Sequence, residues 1–128
     1  MKLLFDTHIV LAVVGETTLQ LPATHQSVIL SSAADVWCSV ASLWEIAIKV
    51  GVGKLKLRSR LENLVDTCRS FNLDILGIEP RHVLHDLVPL PSTRDPFDRL
   101  LLAQASVESM RLVTLDRALV GHPLVWVP

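Results

Sequence analysis

Short apolar runs, each followed by a stretch long enough for a helix, constrain this chain more than any other feature. The runs are Lys2–Phe5, Val36–Ser39, Leu73–Ile78 and Leu112–Leu115, and Leu124–Val127 reads as a fifth. Runs that are apolar throughout, rather than alternating with polar residues, mark strands buried on both faces. Between them the pattern predicts helices over Thr7–Val14, Pro22–Ser32, Ala41–Val50, Ser59–Phe71, Pro80 to about Asp86, and Pro96–Ser109. Gly15 stops the first, Gly51 and Gly53 stop the third, and Pro22 sits near the first turn of the second. Strands alternating with helices predict an α/β/α sandwich around a parallel sheet of four to five strands. The 128 residues suit one domain spanning 1–128.

A chain that is half hydrophobic and one-fifth charged is not disordered and has ample core. Its mean hydropathy of +0.43 is high for its size, which points to apolar surface covered by a partner or a second copy. The net charge of −1 supplies no overall basic field and weighs against a pure nucleic-acid-binding module. It weighs little against a nuclease that holds a cationic metal. Locally, Lys49, Lys54, Lys56, Arg58 and Arg60 fall within twelve residues free of acids, a pattern that a solvated helix end also produces. Cys38 reads as core, and two cysteines make no disulfide framework, so a cytoplasmic location is expected. Lys2 and the apolar run after it imitate a signal peptide, but Asp6 and His8 interrupt it. No stretch is long and uncharged enough to predict a membrane span.

In parallel α/β sheets ligands bind beyond the carboxyl ends of the strands. Asp6 follows the first strand and Asp116 the fourth. Glu45 lies early in the helix after the second strand, and Asp98 lies in the first turn of the helix before the fourth. Each acid has a structural alternative. Asp6 and Asp116 can cap helices. Ser42 and Glu45 have the spacing of a capping box, and Glu45 can pair with Lys49. Asp95 before Pro96 is a natural cap, with Asp98 favoured by the helix dipole.

Together the acids are harder to explain structurally. Asp98 shares a helix face with Leu101, Leu102 and Ala105, and Asp6 and Asp116 end buried strands. Crowded carboxylates repel and raise one another's pKa, and a divalent cation with oxygen ligands, Mg²⁺ or Mn²⁺, relieves this. No cysteine–histidine cluster competes. His82 and His85, three apart on a short helix, read as surface residues.

The segments Leu4-Phe5-Asp6-Thr7-His8, Ser39–Lys49 with Trp44-Glu45-Ile46, Gly53-Lys54-Leu55, Asp95-Pro96-Phe97-Asp98-Arg99-Leu100-Leu101 with Ala103-Gln104-Ala105, and Leu112-Val113-Thr114-Leu115-Asp116 resemble, in order, PIN-domain ribonucleases of the VapC toxin type. The resemblance implies an endoribonuclease using one or two Mg²⁺ or Mn²⁺ ions, with products ending in 5′-phosphate and 3′-hydroxyl. It maps the family's acids onto Asp6, Glu45, Asp98 and Asp116, and gives Thr114 a hydrogen-bonding place beside the metal site. It also implies a homodimer and a small cognate antitoxin. The chain departs from the pattern at Ala12 and Val13, and in the tail Arg117–Gly121, where aromatic residues are usual.

On this reading Asp6, Asp98 and Asp116 are metal ligands, and Glu45 is a ligand or orients the attacking water. Asp95 supports the ligands from behind or only caps the helix. Lys49, Lys54 and Arg99 are candidates for contacts to RNA phosphates. A receiver-type Mg²⁺-binding signalling domain would need an Asp after the third strand and a Lys after the fifth. Ile78-Glu79-Pro80 and Pro128 stand there instead. An aspartate-nucleophile phosphatase would need a second acid where His8 stands. A catalytically inactive PIN-fold binding module would have no use for all four acids.

Overall fold

A computed structural model describes all 128 residues. Strand β1 (Lys2–Phe5) leads into α1 (Thr7–Val14), a 3₁₀ turn at Thr18–Gln20 and α2 (Ala23–Leu30). Strand β2 (Asp35–Ser39) leads into α3 (Val40–Gly51), and α4 (Leu64–Ser70) follows a 3₁₀ turn. Strand β3 (Asp74–Leu76), the short α5 (Pro80–Val83), α6 (Pro96–Val107) and β4 (Arg111–Val113) complete the order. The sheet is parallel, with strand order β3-β2-β1-β4.

The sheet divides the core in two. Side chains alternate across a strand, so Leu3 and Phe5 point to one face of β1 and Leu4 to the other. The first face packs Ile9, Val10 and Val13 of α1, Ile46 of α3 and Leu64 and Cys68 of α4. The second packs Leu101, Leu102 and Ala105 of α6 with Met110, Leu112 and Leu119. No helix is long and apolar enough to cross a membrane.

Several expectations are corrected. The fifth strand reduces to a single bridge between Leu112 and Val125, because β4 is only three residues long and Leu112 alone exchanges bonds with the tail. The helix expected over 59–71 is a 3₁₀ turn followed by α4. Ser42 is not a helix cap. Helix α3 begins a turn earlier, Ser39 accepts from Ala41 N–H as its N-cap, and Ser42 is buried within the helix. His82 is not on the surface; its side chain is wholly buried between Glu79 and Glu108.

Candidate active site

The strand order fixes where a site can form. From β1 the chain steps outward to β2 and β3, then jumps back to place β4 on the other side of β1. The connections diverge between β1 and β4, and this switch point leaves a crevice at the strands' carboxyl ends. Asp6 and Asp116 stand there. A cavity of about 210 Å³ at this place is lined by Asp6, Thr7, His8, Leu11, Glu45, Lys49, Asp95, Asp98 and Asp116. The four acids expected from sequence thus converge, with Asp95 as a fifth.

Each acid is held by a short polar contact. Asp6 is 4% exposed. Its Oδ1 accepts from Thr7 N–H at 2.7 Å, which caps α1, and its Oδ2 accepts from the Thr114 hydroxyl at 2.6 Å. Thr114 in turn accepts from Asp116 N–H at 3.0 Å, so one threonine joins the acids that end β1 and follow β4. Asp116 accepts from Ala118 N–H and turns the chain there rather than starting a helix. Asp98 accepts from Thr93 Oγ1 at 3.0 Å. Asp95 accepts from Phe97 N–H as the N-cap of α6. Glu45 is gripped on both oxygens, by the Thr7 hydroxyl at 2.6 Å and by Lys49 Nζ at 2.8 Å.

His8 joins the cluster without having been singled out from sequence. Its Nε2 accepts from Leu115 N–H at 3.0 Å, which leaves the ring proton on Nδ1, 3.4 Å from Asp6 Oδ2. Thr7 and Thr93 were also missed as partners of the acids, and Ser42 as a partner of the Thr7 hydroxyl. Thr7 is signalled only by adjacency to Asp6, and Thr93 only by lying in the loop before Asp98. Of the expected cationic contacts, Lys49 lines the cavity. Lys54 stands beyond the end of α3, outside it. Arg99 is turned away: its Nε donates to Thr93 O, and the side chain lines a separate cavity of about 440 Å³ beside α5 and α6 that contains none of the five acids.

The acids feel one another. Burial pushes the Asp98 carboxyl up to about 6, helped by the charge of Asp95 and, less, by Asp6 and Asp116. Asp6 is also raised, mainly by burial, although Thr114, His8 and Thr7 pull it back. Lys49 is raised by its bond to Glu45. No three His, Cys, Asp or Glu side chains are drawn into a ready ligand set. The donors are nonetheless all oxygens, partly desolvated and mutually repelling. That chemistry suits a hard divalent cation, and no thiol or imidazole cluster offers a softer alternative.

A solved structure with a similar fold is the VapBC2 complex from Rickettsia felis bound to a DNA fragment from its promoter. A chain of that complex superposes with a TM-score of 0.62 at 16% identity, over 100% of this chain and 98% of its own. No curated protein matches in sequence. The PIN domain family model matches residues 3–121, from β1 through the turn after Asp116. The chain belongs to the PIN-domain family.

Proposed function

We propose that this protein is a metal-dependent endoribonuclease and the toxin of a toxin–antitoxin pair. The observation that carries the reading is the convergence of Asp6, Glu45, Asp95, Asp98 and Asp116 on one small cavity at the sheet's switch point. A PIN fold used only for binding gives no reason for five carboxylates to share one small cavity.

Asp6, Asp98 and Asp116 would hold one or two Mg²⁺ or Mn²⁺ ions. Bound there, such an ion would lower the pKa of a water and polarise the scissile phosphate. The chain's own residues set the geometry. Thr114 fixes Asp6 relative to Asp116, and Thr93 fixes Asp98. Glu45, held by Thr7 and Lys49, is placed to orient the attacking water or to join the ligands. Lys49, which lines the cavity, would meet a phosphate there, whereas Arg99 faces a different cavity.

The proposed partners are RNA, a small antitoxin and a second copy of the chain. The Rickettsia felis assembly pairs two components on promoter DNA, which supports an antitoxin for this chain. Apolar surface supports it too: in α2, Val28 is buried but Leu30 is 70% exposed. The test is cleavage of a structured RNA by the purified chain with Mn²⁺ or Mg²⁺. Cleavage should stop with EDTA, fall at least 100-fold in Asp6→Asn and Asp98→Asn, and be suppressed by the product of an adjacent small reading frame. If both variants cut at the wild-type rate, the nuclease reading fails; if no neighbour co-purifies or inhibits, only the toxin reading does.

A further inference from the structure

The acid-free stretch after α3 has a structure the proposed chemistry does not use. Along 54–58 exposure alternates strictly: Lys54, Lys56 and Arg58 are exposed, whereas Leu55 and Leu57 are half-buried and packed on the core. Two leucine anchors hold the segment, so three cations leave on one side.

The cations are available. Lys54 and Lys56 make no ion pair, and Arg58 pairs only with Glu16, both side chains about two-thirds exposed. A pair so exposed contributes little and exchanges readily for a phosphate. The segment also continues the site. Leu11 lines both the carboxylate cavity and an adjoining groove of about 280 Å³ whose far wall carries Lys56 and Arg58. With a net charge of −1, the molecule as a whole does not attract RNA, so a local track must.

We propose that Lys54, Lys56 and Arg58 form a cationic ladder that holds the nucleotides flanking the scissile bond of a single-stranded RNA, one phosphate per rung. The direction of the track, from Lys49 past Leu11 to Arg58, rests on the nuclease reading of the carboxylate cavity. A duplex is too bulky to enter a groove of about 280 Å³, whereas a splayed single strand can lay its backbone along it. An extended acidic peptide also carries anions along its length and is the competing ligand to test.

The test measures binding without cleavage. A labelled twelve-nucleotide single-stranded RNA is titrated by anisotropy in EDTA, between 50 and 200 mM salt, against the wild type and Lys56→Ala/Arg58→Ala. Each lost phosphate contact on a single strand lowers the salt slope by about 0.7. The double variant should have a slope shallower by about 1.4, so the wild type loses about sevenfold more affinity across that range. Lys2→Ala/Arg111→Ala, at the amino ends of β1 and β4, should keep the wild-type slope, and thermal melting should confirm that both variants fold. The ladder is overturned if Lys56→Ala/Arg58→Ala keeps the slope, if the control loses as much, if the matching duplex binds as well, or if an acidic peptide binds more tightly than RNA. Wild type that binds with the expected slope yet never cuts RNA overturns the nuclease reading and supports the ladder. Wild type that cuts RNA, with an unchanged slope in the variant, overturns the ladder alone.

Discussion

Thr114 Oγ1 sits 2.6 Å from Asp6 Oδ2, joining residues 108 apart in sequence across neighbouring parallel strands. The same oxygen accepts from Asp116 N–H. One hydroxyl therefore sets the separation of two acids that no local sequence relation connects. Both partners are buried or nearly so, and a bond to a charged group in such a place contributes about 1.5–3 kcal/mol.

Thr114→Val keeps the shape and removes the hydroxyl. Asp6 loses the contact that most strongly opposes the effect of its burial, and Asp116 N–H loses its acceptor. The expected result is a loss of roughly 1.5–3 kcal/mol at neutral pH and weaker Mn²⁺ binding by calorimetry. Thr114→Ser should recover most of both. Equal Mn²⁺ affinity in Thr114→Val and wild type would show that Asp6 does not depend on this bond.

The pH dependence of stability follows from Asp98. Its carboxyl is raised from 3.8 to about 6 in the folded chain, first by burial and then by Asp95. Between those values the unfolded chain has released the proton and the folded chain still holds it. Metal-free stability therefore falls as pH rises from 3.8 to about 6 and then levels. Asp6, also raised, acts in the same direction. Other carboxylates titrate nearby, so the readout is the difference between wild type and Asp98→Asn in urea midpoint, measured in EDTA from pH 4 to 7. A difference that stays flat over that range contradicts the raised value.

Much of the site was legible because strand ends are legible. Asp6 and Asp116 close apolar runs, and Asp95-Pro96 announces the start of α6 two residues before Asp98. Strand order was not legible, because parallel pairing joins residues far apart and leaves no local pattern. The switch point between β1 and β4, which brings the acids together, is visible only in the fold. The hydroxyl partners were hidden for a related reason. Thr7 and Thr93 are ordinary residues until the fold places them against a carboxylate; Thr114 was marked only by the family resemblance. His82 misled because a short helix after a proline looks exposed, whereas a bond to Glu108, 26 residues on, draws it inside. Arg99 misled because adjacency to Asp98 in a helix puts the two side chains on different faces.

Metal should stabilise the fold through the same carboxylates. An ion that binds only the folded chain adds about 2.7 kcal/mol at one hundred times its Kd. Melting temperature should rise with Mn²⁺, and the rise should shrink in Asp116→Asn and in Asp6→Asn. Lys49→Met provides a contrast. Its Nζ sits on the largely buried Glu45 and near Asp95 and Asp6, so its loss should lower the melting temperature without metal while the rise with Mn²⁺ persists. Mn²⁺ shifts that survive intact in Asp116→Asn would remove Asp116 from the ligand set.

The two sides of the site are also tied beneath it. Gln104 of α6 is fully buried; its Oε1 accepts from the Ser39 hydroxyl at 2.5 Å and its Nε2 donates to Gly77 O at 3.2 Å. Ser39 is the N-cap of α3, so this contact joins the helix carrying Glu45 to the helix carrying Asp98. Gln104→Leu leaves a hydroxyl and a carbonyl without their partner in the core and should cost about 1–3 kcal/mol. Ser39→Ala removes the cap and should cost about 1 kcal/mol. Because each residue satisfies the other, Ser39→Ala/Gln104→Leu should be less destabilising than the sum of the single changes, by at least about 0.5 kcal/mol. Urea denaturation of the four proteins measures this directly. Additive losses would mean that Ser39 and Gln104 act independently and that α3 and α6 are positioned by apolar packing alone.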